Sequence, residues 1–195
     1  MHSTRALVST AVITVAAAAA LTACGSSSSA NAAAGTPAAA AGSTCPTAAP
    51  AANVKPEWSL KGATGSVDVT GSTATTAPKV SVHAPFTVTT TQVHTLTAGT
   101  GAVVPTTATV TVCYEGVDGR DGNVFDSAYQ RGTSTSFPLD GVVPGFSKAI
   151  AGQKVGSTVA VAMIPADGYP QGQPDAGIRP GDTLIFAIKI LSAQG

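Results

Sequence analysis

The sequence predicts an α+β, mostly β domain in which a curved antiparallel sheet wraps around one short helix. Three observations predict it. Several Val- and Thr-rich runs after residue 78 alternate apolar and polar residues. Clusters of Gly, Pro, Asp and Asn separate those runs as turns do. A single stretch, 146–151, has helical rather than strand spacing, with Phe146 and Ile150 four apart on one face. A short helix with one apolar face, placed between strands, is covered most economically by a sheet that curves around it.

The N-terminus reads as an export signal. Arg5 and His2 precede an uncharged apolar run at 6–20, which ends in Leu21-Thr22-Ala23-Cys24 and a serine tail. Small residues before a cysteine at that point resemble the bacterial lipobox. The resemblance implies a signal peptide at 1–23, cleavage before Cys24 and lipidation of its thiol. Two or more acyl chains would anchor the chain on the outer face of the cytoplasmic membrane, in the bacterial cell envelope. Residues 24–52 carry no charge and are rich in Ala, Ser, Gly, Thr and Pro. Such a segment buries too little to offset ordering entropy, so a disordered tether is expected. Residues 53–77 hold the single tryptophan, Trp58, and a strand-like 66–70. They read as an extra strand or as a collar over a sheet edge.

The folded domain is expected at 78–195. Strands are read at 79–88, 93–97 and 106–115, then a hairpin turn at 118–123 with two glycines, then 124–127 and a short strand ending at Leu139. Pro144-Gly145 opens the helix and Gly152 sits where a helix end wants positive φ. A strand with Val159, Val161 and Met163 on one side follows. The last strand, 183–191, puts Leu184, Phe186, Ile188 and Ile190 on one face. With Cys24 lipidated, Cys45 and Cys113 remain. They form either a disulfide pinning the tether to the back of the sheet or two free thiols.

Ten acidic and ten basic residues give zero formal charge, which provides no electrostatic footprint for nucleic acid. No GxSxG elbow, HExxH pair or Gly-rich phosphate loop is present. His83 and His94 lie on strands, without partners at metal spacing, so no metal and no cofactor are expected. What the strands do supply is a set of aromatics on inward faces: Tyr114, Phe125, Phe137, Phe146, Tyr169 and Phe186, with Asp126 beside Phe125. On pattern alone these are core residues before they are a pocket.

Six linked blocks carry a more specific message: Val112-Cys113-Tyr114-Glu115-Gly116, Asp121-Gly122-Asn123-Val124-Phe125-Asp126-Ser127, Val142-Val143-Pro144-Gly145-Phe146, Lys154-Val155-Gly156-Ser157, Ile164-Pro165 with Gly168-Tyr169, and Asp182-Thr183-Leu184-Ile185-Phe186. In order and spacing they resemble the FKBP-type peptidyl-prolyl isomerases. The resemblance implies an apolar pocket for a proline ring, floored by Phe146 where the family usually has tryptophan. Tyr114, Phe125 and Phe186 would be its walls, Asp126 a polar acceptor at its rim and Tyr169 a hydroxyl over it. Val142, Val143, Phe137 and Ile178 would contact substrate, the Val143 N–H through a substrate carbonyl. The chain departs from the family pattern at Phe146, near Thr135, where an aromatic is missing, between Leu139 and Val142, where two residues are deleted, and at Pro170, where glycine is common.

The resemblance implies rotation of X–Pro bonds in exported polypeptides, with FK506-like macrolides as further ligands. The alternative is a non-catalytic proline- or peptide-binding chaperone of the same fold. Phe146→Ala and Tyr169→Phe are expected to lower turnover more than stability.

Overall fold

The computed structural model describes residues 44–195. The signal peptide, Cys24 and the tether up to residue 43 lie outside the described residues. Among the described residues nine strands form two antiparallel sheets. The smaller has the order β1-β2-β3, from β1 (Trp58–Lys61), β2 (Thr64–Thr70) and β3 (Lys79–Thr87). The larger has the order β4-β8-β9-β5, from β4 (Gln92–Thr97), β8 (Thr158–Met163), β9 (Leu184–Gln194) and β5 (Thr109–Asp118). The outer edge of β5 is shared by two short strands. β6 (Val124–Ser127) pairs with its C-terminal half and β7 (Thr135–Pro138) with its N-terminal half. A single-turn helix, α1 (Ala128–Arg131), joins those two strands.

The second helix, α2 (Pro144–Ile150), packs on the front of the larger sheet. Proline at its first turn costs no hydrogen bond there, because that N–H would lack a helical partner anyway. Phe146, Ala149 and Ile150 are buried against Val110, Val112, Val159, Val161, Met163, Leu184, Phe186, Ile188 and Ile190. The β8 and β9 residues among these are the strand faces that the alternation predicted, so the curved sheet around a short helix is the observed fold. Gly145 lets the helix approach β8: a Cβ there would lie 2.8 Å from the Met163 Sδ and 2.9 Å from its Cβ. Gly152, just past α2, has φ +80°.

The structure differs from the sequence expectation on the back of that sheet. Residues 53–77 are neither a lone extra strand nor an edge collar. They supply β1 and β2, and β3 pairs with β2 rather than joining the larger sheet. No structural boundary therefore falls at residue 78. Val67, Val69 and Phe86 of the small sheet bury against Ala160, Ala162, Ile185 and Ala187. Small alanines on the back of β8 and β9 let the two sheets close on each other, which is why all six β8 residues are buried. Trp58 packs at this interface, stacked on His94 at 5.6 Å between ring centroids.

Residues 44–52 also depart from the expected tether. Cys45 and Cys113 form a disulfide, with Cα atoms 5.8 Å apart. The Cys45 N–H donates to the Gly132 carbonyl at 3.1 Å, and Ala77 donates to the Ala48 carbonyl at 2.8 Å. The covalent bond and the two backbone contacts order a segment whose composition alone would leave it unfolded.

Candidate active site

The front of the larger sheet opens beside α2 into a cavity of about 380 Å³, lined by Tyr114, Phe125, Asp126, Phe137, Gly141, Val142, Val143, Phe146, Tyr169 and Phe186. Its floor is a set of edge-to-face rings centred on Phe146. That ring meets Phe186 at 5.1 Å, Phe137 at 5.3 Å and Tyr114 at 5.8 Å between centroids. Phe125 stands edge-on to Phe186 at 5.4 Å. Perpendicular packing sets the positive edge of one ring on the negative face of the next, and so favours a rigid apolar box.

Two local features of the backbone build this box. β5 and β6 change register between Gly116 and Val117: Gly116 opposes Asp126 and Val117 opposes Val124, leaving Phe125 as the extra residue. Adjacent strand residues normally face opposite ways. The bulge lets both Phe125 and Asp126 line the cavity. Gly116 then makes room for the rings: a Cβ there would lie 2.6 Å from Phe125 Cζ and 2.7 Å from Phe186 Cε1. Gly116→Ala is therefore expected to push both walls inward and narrow the cavity, with overpacking of about 1–3 kcal/mol. A lowered Tm beside weaker binding of a small apolar probe checks this.

The rim is polar. The Tyr114 hydroxyl donates to Asp126 Oδ2, and Arg131 pairs with Asp126 Oδ1. Arg131 Nη2 also reaches the Tyr114 oxygen at 3.2 Å, and its guanidinium sits 5.7 Å from the Tyr114 ring centroid. Burial, reinforced by the bond to Asp126, raises the Tyr114 phenol above its ordinary value, while Arg131 offsets part of that. The phenol stays protonated and acts as a donor. The Asp126 carboxylate in turn holds the Arg131 guanidinium more firmly charged. Arg131 was not read from the sequence. The one local signal is a basic residue closing a single-turn helix five positions after Asp126.

Across the cavity, Val143 precedes α2, and among the described residues nothing accepts from its backbone N–H. Tyr169 lines the opening, its hydroxyl likewise without a partner among the described residues. The turn before it is anchored to α2: Lys148 Nζ lies 2.7 Å from Asp167 Oδ2, and Thr91 donates to the same oxygen at 2.5 Å. Those bonds hold the Asp167 carboxyl below the usual carboxylate range. A depressed folded-state value stabilises the fold above the unfolded value and loses that effect as pH falls. The Tm of Lys148→Met is thus expected below wild type at neutral pH, with the gap closing below about pH 4.

Ile178 is not part of the lining. It is 3% exposed within the main core, because Gln173 and Ile178 exchange backbone hydrogen bonds at 2.9 and 3.1 Å and fold the loop inward. Arg120 fixes the same loop by bonding the Gly177 carbonyl and the Asp182 carboxylate. The remaining predicted residues, Tyr114, Phe125, Asp126, Phe137, Val142, Val143, Phe146, Tyr169 and Phe186, come together around one cavity. Among the described residues no group of three His, Cys, Asp or Glu side chains is placed to hold a metal ion.

The family model for FKBP-type peptidyl-prolyl cis-trans isomerase matches residues 100–191, which hold all of these cavity residues. A Corynebacterium glutamicum protein named probable FK506-binding protein is 37% identical over 97 residues, which cover 49% of this chain and 80% of that protein. The chain belongs to the FKBP-type peptidyl-prolyl cis-trans isomerase family. FkpA of Escherichia coli strain K12, an FKBP-type peptidyl-prolyl cis-trans isomerase, is 36% identical over 100 residues, covering 50% of this chain and 35% of FkpA. The outer membrane protein MIP of Legionella longbeachae is 40% identical over 98 residues, covering 50% of this chain and 41% of MIP. The FKBP-type chain thus spans less than half of the last two relatives. The small sheet β1-β2-β3 and the 44–52 segment lie outside the residues matched by the family model.

Proposed function

We propose that the chain is a peptidyl-prolyl cis-trans isomerase that rotates X–Pro bonds of exported polypeptides in the aromatic cavity. The observation that carries this reading is the cavity itself, apolar rings below and hydrogen-bonding groups only at the rim. A peptide bond is planar because nitrogen donates into the carbonyl, and rotation faces a barrier of about 18–20 kcal/mol. The two X–Pro isomers lie close in energy, so the barrier is what limits exchange. The planar form is the more dipolar one, and water stabilises it. Transfer of the bond onto the Phe146 floor removes that stabilisation and favours the twisted form. The Val143 N–H is free to hold a substrate carbonyl, and Tyr169 offers a second donor. Contacts that fit the twisted geometry better than the planar one lower the barrier further. A gain of about 6 kcal/mol would give roughly four orders of magnitude in rate. No step needs Asp126 as an acid or base; with Arg131 it fixes the Tyr114 phenol as one wall.

The lipobox at Cys24 supports export and lipid anchoring of this isomerase, and a relative named an outer membrane protein supports an envelope setting. Macrolide binding is supported by the relative named probable FK506-binding protein. The second reading, a peptide-binding chaperone without turnover, draws on the phenyl ring where the family usually has the larger indole. Refolding of an unrelated protein whose slow phase is proline-limited separates the two. An isomerase accelerates that phase in proportion to its concentration; a chaperone that only holds chains leaves the phase unchanged or delays it.

A further inference from the structure

We propose that the Cys45–Cys113 disulfide is a positioning element for Arg131, so that reduction of this bond loosens the polar rim of the cavity on the opposite face of the sheet. The inference rests on the isomerase reading for its kinetic consequence, and on geometry alone for the coupling.

A closed ring of covalent bonds and hydrogen bonds links the two faces. Cys113 and Tyr114 are neighbours on β5, one buried behind the sheet and the other lining the cavity. Arg131 Nη2 bonds the Tyr114 oxygen at 3.2 Å and pairs with Asp126. Arg131 is followed by Gly132, whose carbonyl accepts from the Cys45 N–H at 3.1 Å. Cys45 returns to Cys113 through the disulfide. The ring is thus Cys113, Tyr114, Arg131, Gly132, Cys45 and back to Cys113. Thr44 and Thr133 add a β-bridge beside it.

The element inside this ring relies on its surroundings for its shape. α1 is four residues long, too short to be stable by helical hydrogen bonds alone. Its N-terminus is capped by Ser127, which accepts from Gln130 N–H at 3.2 Å. Its C-terminus turns at Gly132, φ +69°, where the 44–52 segment is attached through Cys45. Ala128 and Tyr129 are buried together with Cys45 and Cys113 in one small cluster. Arg131 itself is exposed, so its placement over Tyr114 depends on the backbone that carries it. Opening the disulfide removes the covalent tie at Cys45, leaves the 44–52 segment held at its Ala48 end, weakens the Gly132 contact and gives α1 room to fray.

The test compares the full oxidised chain with the chain reduced by a small dithiol. The dithiol converts the disulfide to two thiols and closes to its own disulfide. With far-UV circular dichroism unchanged, kcat/KM for an Xaa-Pro peptide is expected to fall about tenfold, the size of one lost charge-assisted contact. In Arg131→Ala, reduction is expected to change kcat/KM by less than about twofold, since the contact is already absent. The Arg131 Nε–H resonance is expected to move toward that of a free guanidinium on reduction. Equal losses in both backgrounds, or an unmoved Arg131 resonance, would overturn the proposal. Should the reduced chain unfold, a chain with Cys45→Ser and Cys113→Ser plus Thr44→Cys and Thr133→Cys holds the 44–52 segment beside the end of α1 without the native bond. Activity near wild type in that chain supports positioning, and activity still about tenfold low overturns it. An oxidised chain without turnover defeats the isomerase reading, whereas the Arg131 resonance still decides the coupling.

Discussion

Phe146→Ala is expected to lower kcat/KM roughly 100-fold and to cost about 3 kcal/mol of stability. Both effects come from one ring. Phe146 is 5% exposed and contacts three other rings while forming the cavity floor. Its removal leaves a hole that water can enter, and under the proposed mechanism that water restores the solvation of the planar peptide. The sequence expectation is that turnover falls more than stability; burial of the ring adds a stability cost of similar size. That expectation treated the ring as a surface of the pocket; in the structure the same ring is part of the main core. Phe146→Trp is the informative partner, since it keeps the floor filled and adds an indole N–H. Peptide isomerisation beside urea unfolding measures both quantities.

Phe86→Ala is expected to cost a similar amount, about 3–4 kcal/mol, and to leave kcat/KM of the folded fraction unchanged. Phe86 is fully buried between the two sheets, against the side of β8 and β9 that faces away from the cavity. The pair of substitutions separates loss of fold from loss of chemistry. An equal drop in activity for both variants would show that the cavity responds to any loss of packing.

The strands and α2 were legible because their periodicities are strong. Val159, Val161 and Met163 alternate, and Phe146 and Ile150 sit four apart. The second sheet was not recognised, although a trace of it was present. Ala160, Ala162 and Ala187 are small apolar residues on a face that a single-layer sheet would make polar. The aromatic set was legible as types, but the bulge at Phe125 that turns Phe125 and Asp126 to the same cavity depends on pairing with β5, which no local pattern encodes. The place of Arg131 at the rim is not legible in the sequence, because it arises from where α1 ends. Ile178 was assigned to the lining by resemblance. The Gln173–Ile178 pairing that buries it is set by loop geometry, not by residue type.

Turnover in the aromatic cavity is tested most simply by a protease-free isomerisation assay of the chain on a short Xaa-Pro peptide. The expected result is an exchange rate well above the uncatalysed one, suppressed by an FK506-like macrolide, largely lost in Phe146→Ala and kept in Phe86→Ala. A rate equal to background, with the chain shown to be folded, would contradict it.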